Sequence, residues 1–154
     1  MELRKAGLQD VEALMALRKE QLRDEDRQEG NTFFQEPDID EALRAYFSSS
    51  LAEGSMVEWV AEEEGRIVAT SSIIFQAFPP SFTNPTGARG YVSNMYTVPS
   101  HRGQGIASSL LGKLREEAAS RGVKLLWLGA SPMGRPVYAR FGFRDADTLM
   151  QMEL

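Results

Sequence analysis

The sequence predicts a mixed α/β fold, an α+β-type sheet in one domain over residues 1–154, with elements in the order β-α-α-β-β-β-α-β-α-β. Three observations carry it. "MVEWVAEEEGRIVATSSIIFQAF" holds two β-rich runs around a turn at Glu64–Gly65, a hairpin. "YVSNMYTV", a glycine turn, the helical run from Gln104 to Arg121 and the strand "VKLLWLGA" form a β-α-β unit, whose crossover is right-handed. No repeat, low-complexity segment or second domain interrupts them.

Each element has a local reason. In "MELRKA", Met1 and Leu3 alternate with polar neighbours, a short first strand. Asp10 is placed to cap a helix reaching about Arg27, with Val11, Leu14, Met15 and Leu22 on one side and a charged, solvated far face. "RDEDRQEGN" runs on as a polar linker. "PDIDEALRAYFSSSL" is the second helix: Asp38 and Glu41 have capping-box spacing, and Ile39, Leu43, Tyr46, Phe47 and Leu51 form a stripe. The acidic run Glu62–Glu64 reads as a solvated strand end. "PPSFTNPTGARG" has loop composition and is long enough to be functional. In the later helix Ile106, Leu110, Leu111, Leu114 and Ala118 share a face, and Arg121–Gly122 stops it. "VKLLWLGA" is nearly continuously apolar and is expected to be buried on both faces. "GRPVYARFGF" is a short helix with Pro136 in its first turn, and "TLMQMEL" closes the chain as a strand.

Composition narrows the function. With 154 residues the chain can bury a real core. Its net charge of -5 argues against a nucleic-acid surface and suits a cationic substrate. It has no cysteine, so thiol nucleophiles and thiolate metal sites are excluded, and His101 is its single histidine, so no His-rich metal site is expected. The N-terminus lacks an apolar signal region and no run approaches membrane-spanning length, which makes cytoplasmic the expectation.

"SHRGQGIASSLL", Ser100 to Leu111, puts two glycines and an arginine where a helix must start. Helix N-termini carry unsatisfied N–H groups and partial positive charge, so anions bind there. The N–H groups of Gly103, Gln104, Gly105, Ile106 and Ala107 can converge on a phosphate, with charge from Arg102 and a hydroxyl from Ser108. A P-loop needs a lysine that does not follow Gly105 at the right spacing. A dinucleotide fingerprint needs a third glycine where Ser108 stands, and an acid after the next strand, which ends "WLGA". The remaining option is a pyrophosphate held by the R-x-x-G-x-A pattern of Arg102, Gly105 and Ala107.

This stretch resembles the acyl-CoA pyrophosphate motif of the GNAT acetyltransferase superfamily. "VYARFGF" is similar to that family's second landmark, with Tyr138 at its tyrosine, and the element order matches along the whole chain. The resemblance implies two parallel strands that splay apart, Tyr91–Val98 and Val123–Ala130, with Pro99 where pairing ends. It implies acetyl-CoA as acyl donor, no metal, pantetheine against the backbone of Met95, Tyr96, Thr97 and Val98, and pyrophosphate on the Arg102–Ser108 turn. Ser131 stands where the family often has a ligand-holding asparagine, and Gly134 replaces a common alanine. The implied reaction is direct attack of a primary amine on the thioester, with Tyr138 as general acid toward the leaving thiolate and backbone N–H groups polarising the carbonyl. Homodimers are common in the family, so one is expected on resemblance.

The amine must lose a proton to attack, and only about one alkylamine in a thousand is neutral at pH 7. "YVSNMYTV" carries no carboxylate; Glu58 or Glu62 on an adjacent strand is a candidate relay through water. His101 lies on the pyrophosphate side and reads as a surface residue. Ser93 and Asn94 are candidates to face the acceptor, between the first two helices and the Phe78–Arg89 loop, with Tyr46, Phe33, Phe34, Phe78 and Phe82 as candidate walls. Four functions stay open: an N-acetyltransferase for a small amine, one for a protein N-terminus or lysine, a non-catalytic acyl-CoA-binding module, and a Rossmann-type nucleotide-binding domain.

Overall fold

The computed structural model describes residues 1–31, 36–146 and 148–154. Five strands form one sheet in sequence order: β1 (Glu2–Lys5), β2 (Met56–Glu63), β3 (Arg66–Ala77), β4 (Ala88–Thr97) and β5 (Leu126–Trp127). The first four pair antiparallel; β4 and β5 are parallel. Helices α1 (Val11–Glu29) and α2 (Asp40–Glu53) cover one face. α3 (Ile106–Ser120) covers the other, and α4 (Arg135–Phe141) packs beside it. The predicted class and crossover are present, and the sheet is mixed as expected.

Each face has its own core. Beneath α1 and α2, Met56 and Val60 of β2 meet Leu14, Met15 and Phe47. Beneath α3, Ile73 and Val92 meet Leu111, Leu114 and Ala118, and α4 adds Val137, Tyr138 and Phe141 to the margin. Burying one such side chain contributes about 1.5–3 kcal/mol, so these rows fix where the strand ends fall.

Several local expectations are corrected. The stretch read as a linker is helical: α1 runs to Glu29 and ends on Gly30, because its arginines, glutamates and glutamines are good helix formers. Asp10 does not cap α1 with its side chain. Its carboxylate takes two bonds from Arg4, at 2.9 and 3.0 Å, and one from the Gly7 N–H. α2 starts at Asp40 rather than Pro37, and Asp38 accepts from the Asp40 N–H instead of forming a capping box. Tyr46, expected in the buried stripe of α2, is 41% exposed, with its hydroxyl near Met56 Sδ. β4 begins three residues early, at Ala88.

The parallel pair departs furthest. β5 has only two residues, pairing Gly90 with Leu126 and Tyr91 with Trp127. Leu125 is 40% exposed and residues 126–128 are half-buried, so this strand is not covered on both faces. Among the described residues no strand follows α4. Leu149, Met150, Met152 and Leu154 are exposed, because β5 is too short to template another strand beyond it.

The strands part for a structural reason. Thr70 pairs with Tyr96 and Ser72 with Ser93, so Asn94 and Met95 together oppose Ser71. This is a β-bulge in β4. Asn94 sits in left-handed geometry at φ 53°, and the Thr70 hydroxyl donates to its carbonyl at 2.8 Å. A bulge bends and twists its strand, and β4 keeps no partner on its β5 side beyond Tyr91.

Candidate active site

The parted strands open onto a cleft of about 330 Å³. β4 contributes Met95, Tyr96 and Thr97; the following turn and α3 contribute Arg102, Gly103, Gly105, Ile106, Ala107 and Ser108. Ser131 and Gly134 come from the loop after β5, and Tyr138 from α4. The structure therefore brings together two stretches separated by some thirty residues of sequence. Val98 and Gln104, also candidates, are not on this wall: Val98 packs toward Ile106 and Leu110, and Gln104 is exposed at the turn.

The turn presents unpaired donors to open space. Gly103 and Gly105 have φ of 75° and 79°, a region that side chains strain to enter, and a Cβ built on either would meet nothing within 4 Å. Among the described residues, the N–H groups of residues 103–108 find no protein acceptor; the next, Ser109, bonds to the Gly105 carbonyl at 3.1 Å. A row of orphan donors at the start of a 15-residue helix, with open space before it, is the arrangement at which anions bind in general.

Arg102 is held beside this turn. Its Nε donates to the Thr97 carbonyl at 2.9 Å, its guanidinium pairs with Asp24 at 2.7 Å, and it lies over the Tyr96 ring. Burial works against the Asp24 carboxylate, but hydrogen bonds from Arg27 and Arg102 keep it below the usual range. α1 thus reaches the cleft with Gln21, Asp24, Glu25 and Gln28, a stripe that reads in sequence as solvated surface. Their positions, i, i+3, i+4 and i+7, mark one helical face. Arg140 of α4 also lines the cleft, and nothing in the sequence around it signals this.

Tyr138 is fixed by its neighbours. Its ring stands edge-on to Phe143 at 6.0 Å, and a Cβ on Gly134 would come within 2.8 Å of the ring. Glycine at 134, in place of alanine, gives the ring its space. Among the described residues no protein group accepts from its hydroxyl. Burial, then the nearby Glu25 and Tyr91, push the phenol up to about 12. It keeps its proton at any working pH and acts as a donor, not a base.

The other candidates sit elsewhere. His101 bridges Ser100 and Glu63 at the rim. Glu62 is bound to Arg4, with Nε at 2.7 Å. Glu58 is fully buried on the α1–α2 face. Phe82 is fully exposed, and Phe78 lies under the Arg89 guanidinium, 4.4 Å from its ring centre. Phe33 and Phe34 fall outside the described residues.

A splayed parallel pair, an orphan N–H cradle and a buried phenol thus meet in one cleft. The Acetyltransferase (GNAT) family matches residues 15–143. The chain belongs to this acetyltransferase family. A predicted acetyltransferase from Clostridium acetobutylicum, solved with acetyl-CoA, is 43% identical with a TM-score of 0.91, over 99% of this chain and 95% of that one. A GCN5-related N-acetyltransferase from Ralstonia eutropha JMP134 is 30% identical with a TM-score of 0.85, over 99% and 97% of the two chains. A glucosamine 6-phosphate N-acetyltransferase from Trypanosoma brucei brucei is 33% identical over 90 residues, 58% of this chain and 59% of that protein's length. No helix among the described residues is long and apolar enough to cross a membrane.

Proposed function

We propose that this chain moves an acetyl group from acetyl-CoA to the primary amine of a small molecule by direct attack. The observation that carries this reading is the row of unpartnered N–H groups from Gly103 to Ser108 in the same cleft as Tyr138. The turn takes the pyrophosphate. The free edge of β4 from Met95 to Thr97 pairs with the pantetheine arm as an added strand would. The thioester then lies between the β4 bulge and α4, where a backbone N–H polarises its carbonyl.

The amine nitrogen attacks the carbonyl carbon, the C–S bond breaks, and the electron pair leaves on sulfur. Tyr138 donates a hydrogen bond to that sulfur. An alkyl thiol has a pKa of about 8.5, judged from cysteine, and full transfer from a phenol near 12 is uphill. Tyr138 therefore stabilises the thiolate chiefly by its O–H···S bond; the nitrogen sheds its second proton to solvent as the amide forms, and the thiolate takes one up from solvent. A small amine is supported by the likeness to a glucosamine 6-phosphate N-acetyltransferase.

The test is thermal melting with acetyl-CoA, NADH or ATP, followed by acetyl-CoA consumption with a panel of amines that includes glucosamine 6-phosphate. Ligand at a hundred times its Kd adds about 2.7 kcal/mol, a shift of several degrees. A shift with acetyl-CoA alone and turnover on an amine support the reading. A shift with NADH or ATP but not acetyl-CoA would sink it.

A further inference from the structure

Glu58 is a carboxyl group with no ordinary reason to be where it is. It sits in the middle of β2, between Met56 and Val60, facing α1 and α2, and is 0% exposed. No cation is hydrogen-bonded to it among the described residues. Its one strong partner is the Asn94 side chain, whose Nδ2 donates to Oε1 at 2.7 Å. Three polar atoms around it have no partner among the described residues: Glu58 Oε2, Asn94 Oδ1 and Ser72 Oγ. Ser72 lies opposite Glu58 in the register and Ser93 opposite Ser72, so the group spans three adjacent strands. An unpaired buried polar atom is costly, because it has given up water and gained no partner. Three in one place mark a spot that takes a polar guest, and a buried water commonly makes about three such bonds.

The place matters as much as the chemistry. Asn94 is the left-handed residue of the β4 bulge, and the next residues, Met95 to Thr97, line the cleft. Glu58 thus stands behind the point where β4 opens. It is on the side of the sheet covered by α1 and α2, while α3 and α4 lie on the other.

We infer that Glu58, with Asn94 and Ser72, holds a water relay at the β4 bulge and takes up the proton that the acceptor amine must lose before it attacks the thioester. The inference rests on the acetyl-transfer reading. In the step, an ammonium N–H bond breaks, the proton passes through water to Glu58 Oε2, and the amine keeps the electron pair it uses for attack. After transfer, Glu58 returns the proton to solvent. Glu62 cannot serve in this way, because Arg4 already holds its carboxylate.

Burial, opposed by Asn94, Arg18 and Ser72, pushes Glu58 up to about 8. An ordinary carboxylate is about six pKa units too acidic to take a proton from an alkylammonium; at this value the gap falls to about two. The groups facing Glu58 are few. Arg18 of α1 and Tyr46 of α2 carry the charge or the titration; Ser72 of β3 and Asn94 of β4 do neither. The Ser72 hydroxyl is near enough to favour the ionised form, yet makes no hydrogen bond of normal geometry.

The experiment is the pH profile of kcat/KM for acetyl transfer, wild type against Glu58→Gln, with the amine panel above and acetyl-CoA. Glutamine keeps the volume and the Oε1 acceptor for Asn94, so the fold is retained. Expected is a loss of at least tenfold at pH 7.5, disappearance of the rise in rate through about pH 8, and an unchanged KM for acetyl-CoA. Ser72→Ala, which removes one arm of the relay, should lose about threefold with the pH profile kept. If Glu58→Gln keeps the wild-type profile within twofold, the inference is overturned while the acetyl-transfer reading stands. If the wild type acetylates no amine although acetyl-CoA raises its melting temperature, the reading fails and takes this inference with it.

Discussion

The two faces of the sheet are built on opposite principles. Beneath α3, Ile73, Val92, Leu111, Leu114 and Ala118 form a closed apolar row. Beneath α1 and α2 an apolar row also exists, but Glu58, Thr70, Ser72 and Asn94 are buried near it and three of their polar atoms are unpartnered. Buried polar groups are normally satisfied. The α3 face, with Tyr138 only at its margin, has an apolar centre, whereas the α1–α2 face leaves polar atoms unpaired beside the β4 bulge. Substitutions on the two faces should therefore separate stability from catalysis.

The largest expected effect is a gain of stability. Below about pH 4 Glu58 is protonated whether the chain is folded or not, and costs nothing. Above that the unfolded chain ionises, while folded Glu58 keeps its proton until about pH 8. Folding must then take up a proton, so stability falls across that window. Glu58→Gln removes the cost. Its melting temperature should exceed that of the wild type by a margin that grows from pH 5 to pH 8, equivalent to at most about 5 kcal/mol at 1.36 kcal/mol per pKa unit. Parallel melts across pH check this, and equal slopes for both proteins would remove the titrating carboxyl from the account.

Leu114→Ala, on the sealed face, should cost about 2–5 kcal/mol, with kcat and KM of the folded enzyme unchanged. Urea denaturation and steady-state kinetics on one preparation decide it; a changed pH profile would break the division between faces. Tyr138→Phe, in the cleft, should do the reverse. kcat should fall about a hundredfold, about 2.7 kcal/mol, with acetyl-CoA affinity kept. The smallest effect belongs to Asp24→Asn. Asp24 puts a negative charge beside the pyrophosphate turn and ties up Arg102. Its removal should tighten acetyl-CoA binding by about two- to fivefold, under 1 kcal/mol, measured by calorimetry at low salt.

What was legible in the sequence follows from how local each signal is. The Ser100–Leu111 turn could be read because its glycines, arginine and helix start are contiguous, and Tyr138 because its segment is a second short landmark. The α1 stripe could not, since Gln21, Asp24, Glu25 and Gln28 look alike whether they face solvent or a cleft. Glu58 left a faint trace: it shares strand parity with the buried Met56 and Val60. Parity alone cannot say that a bulge at the seventh residue of β4 will deliver Asn94 to it. "VKLLWLGA" reads as a longer strand than the two residues it forms, and "TLMQMEL" as a strand that does not form among the described residues, because apolar runs report a preference for pairing, and β4 turns away before pairing can continue.

The central claim is that the Gly103–Gly105 turn receives the pyrophosphate of acetyl-CoA. Calorimetric titration of acetyl-CoA into wild type and Gly105→Val, both verified as folded at the working temperature, tests it most directly. The valine must enter a left-handed conformation at φ 79° and fills open space in front of the orphan N–H groups. The account predicts binding to the wild type and at least a fiftyfold loss in the variant. Equal affinity in the two proteins would place the coenzyme elsewhere and contradict it.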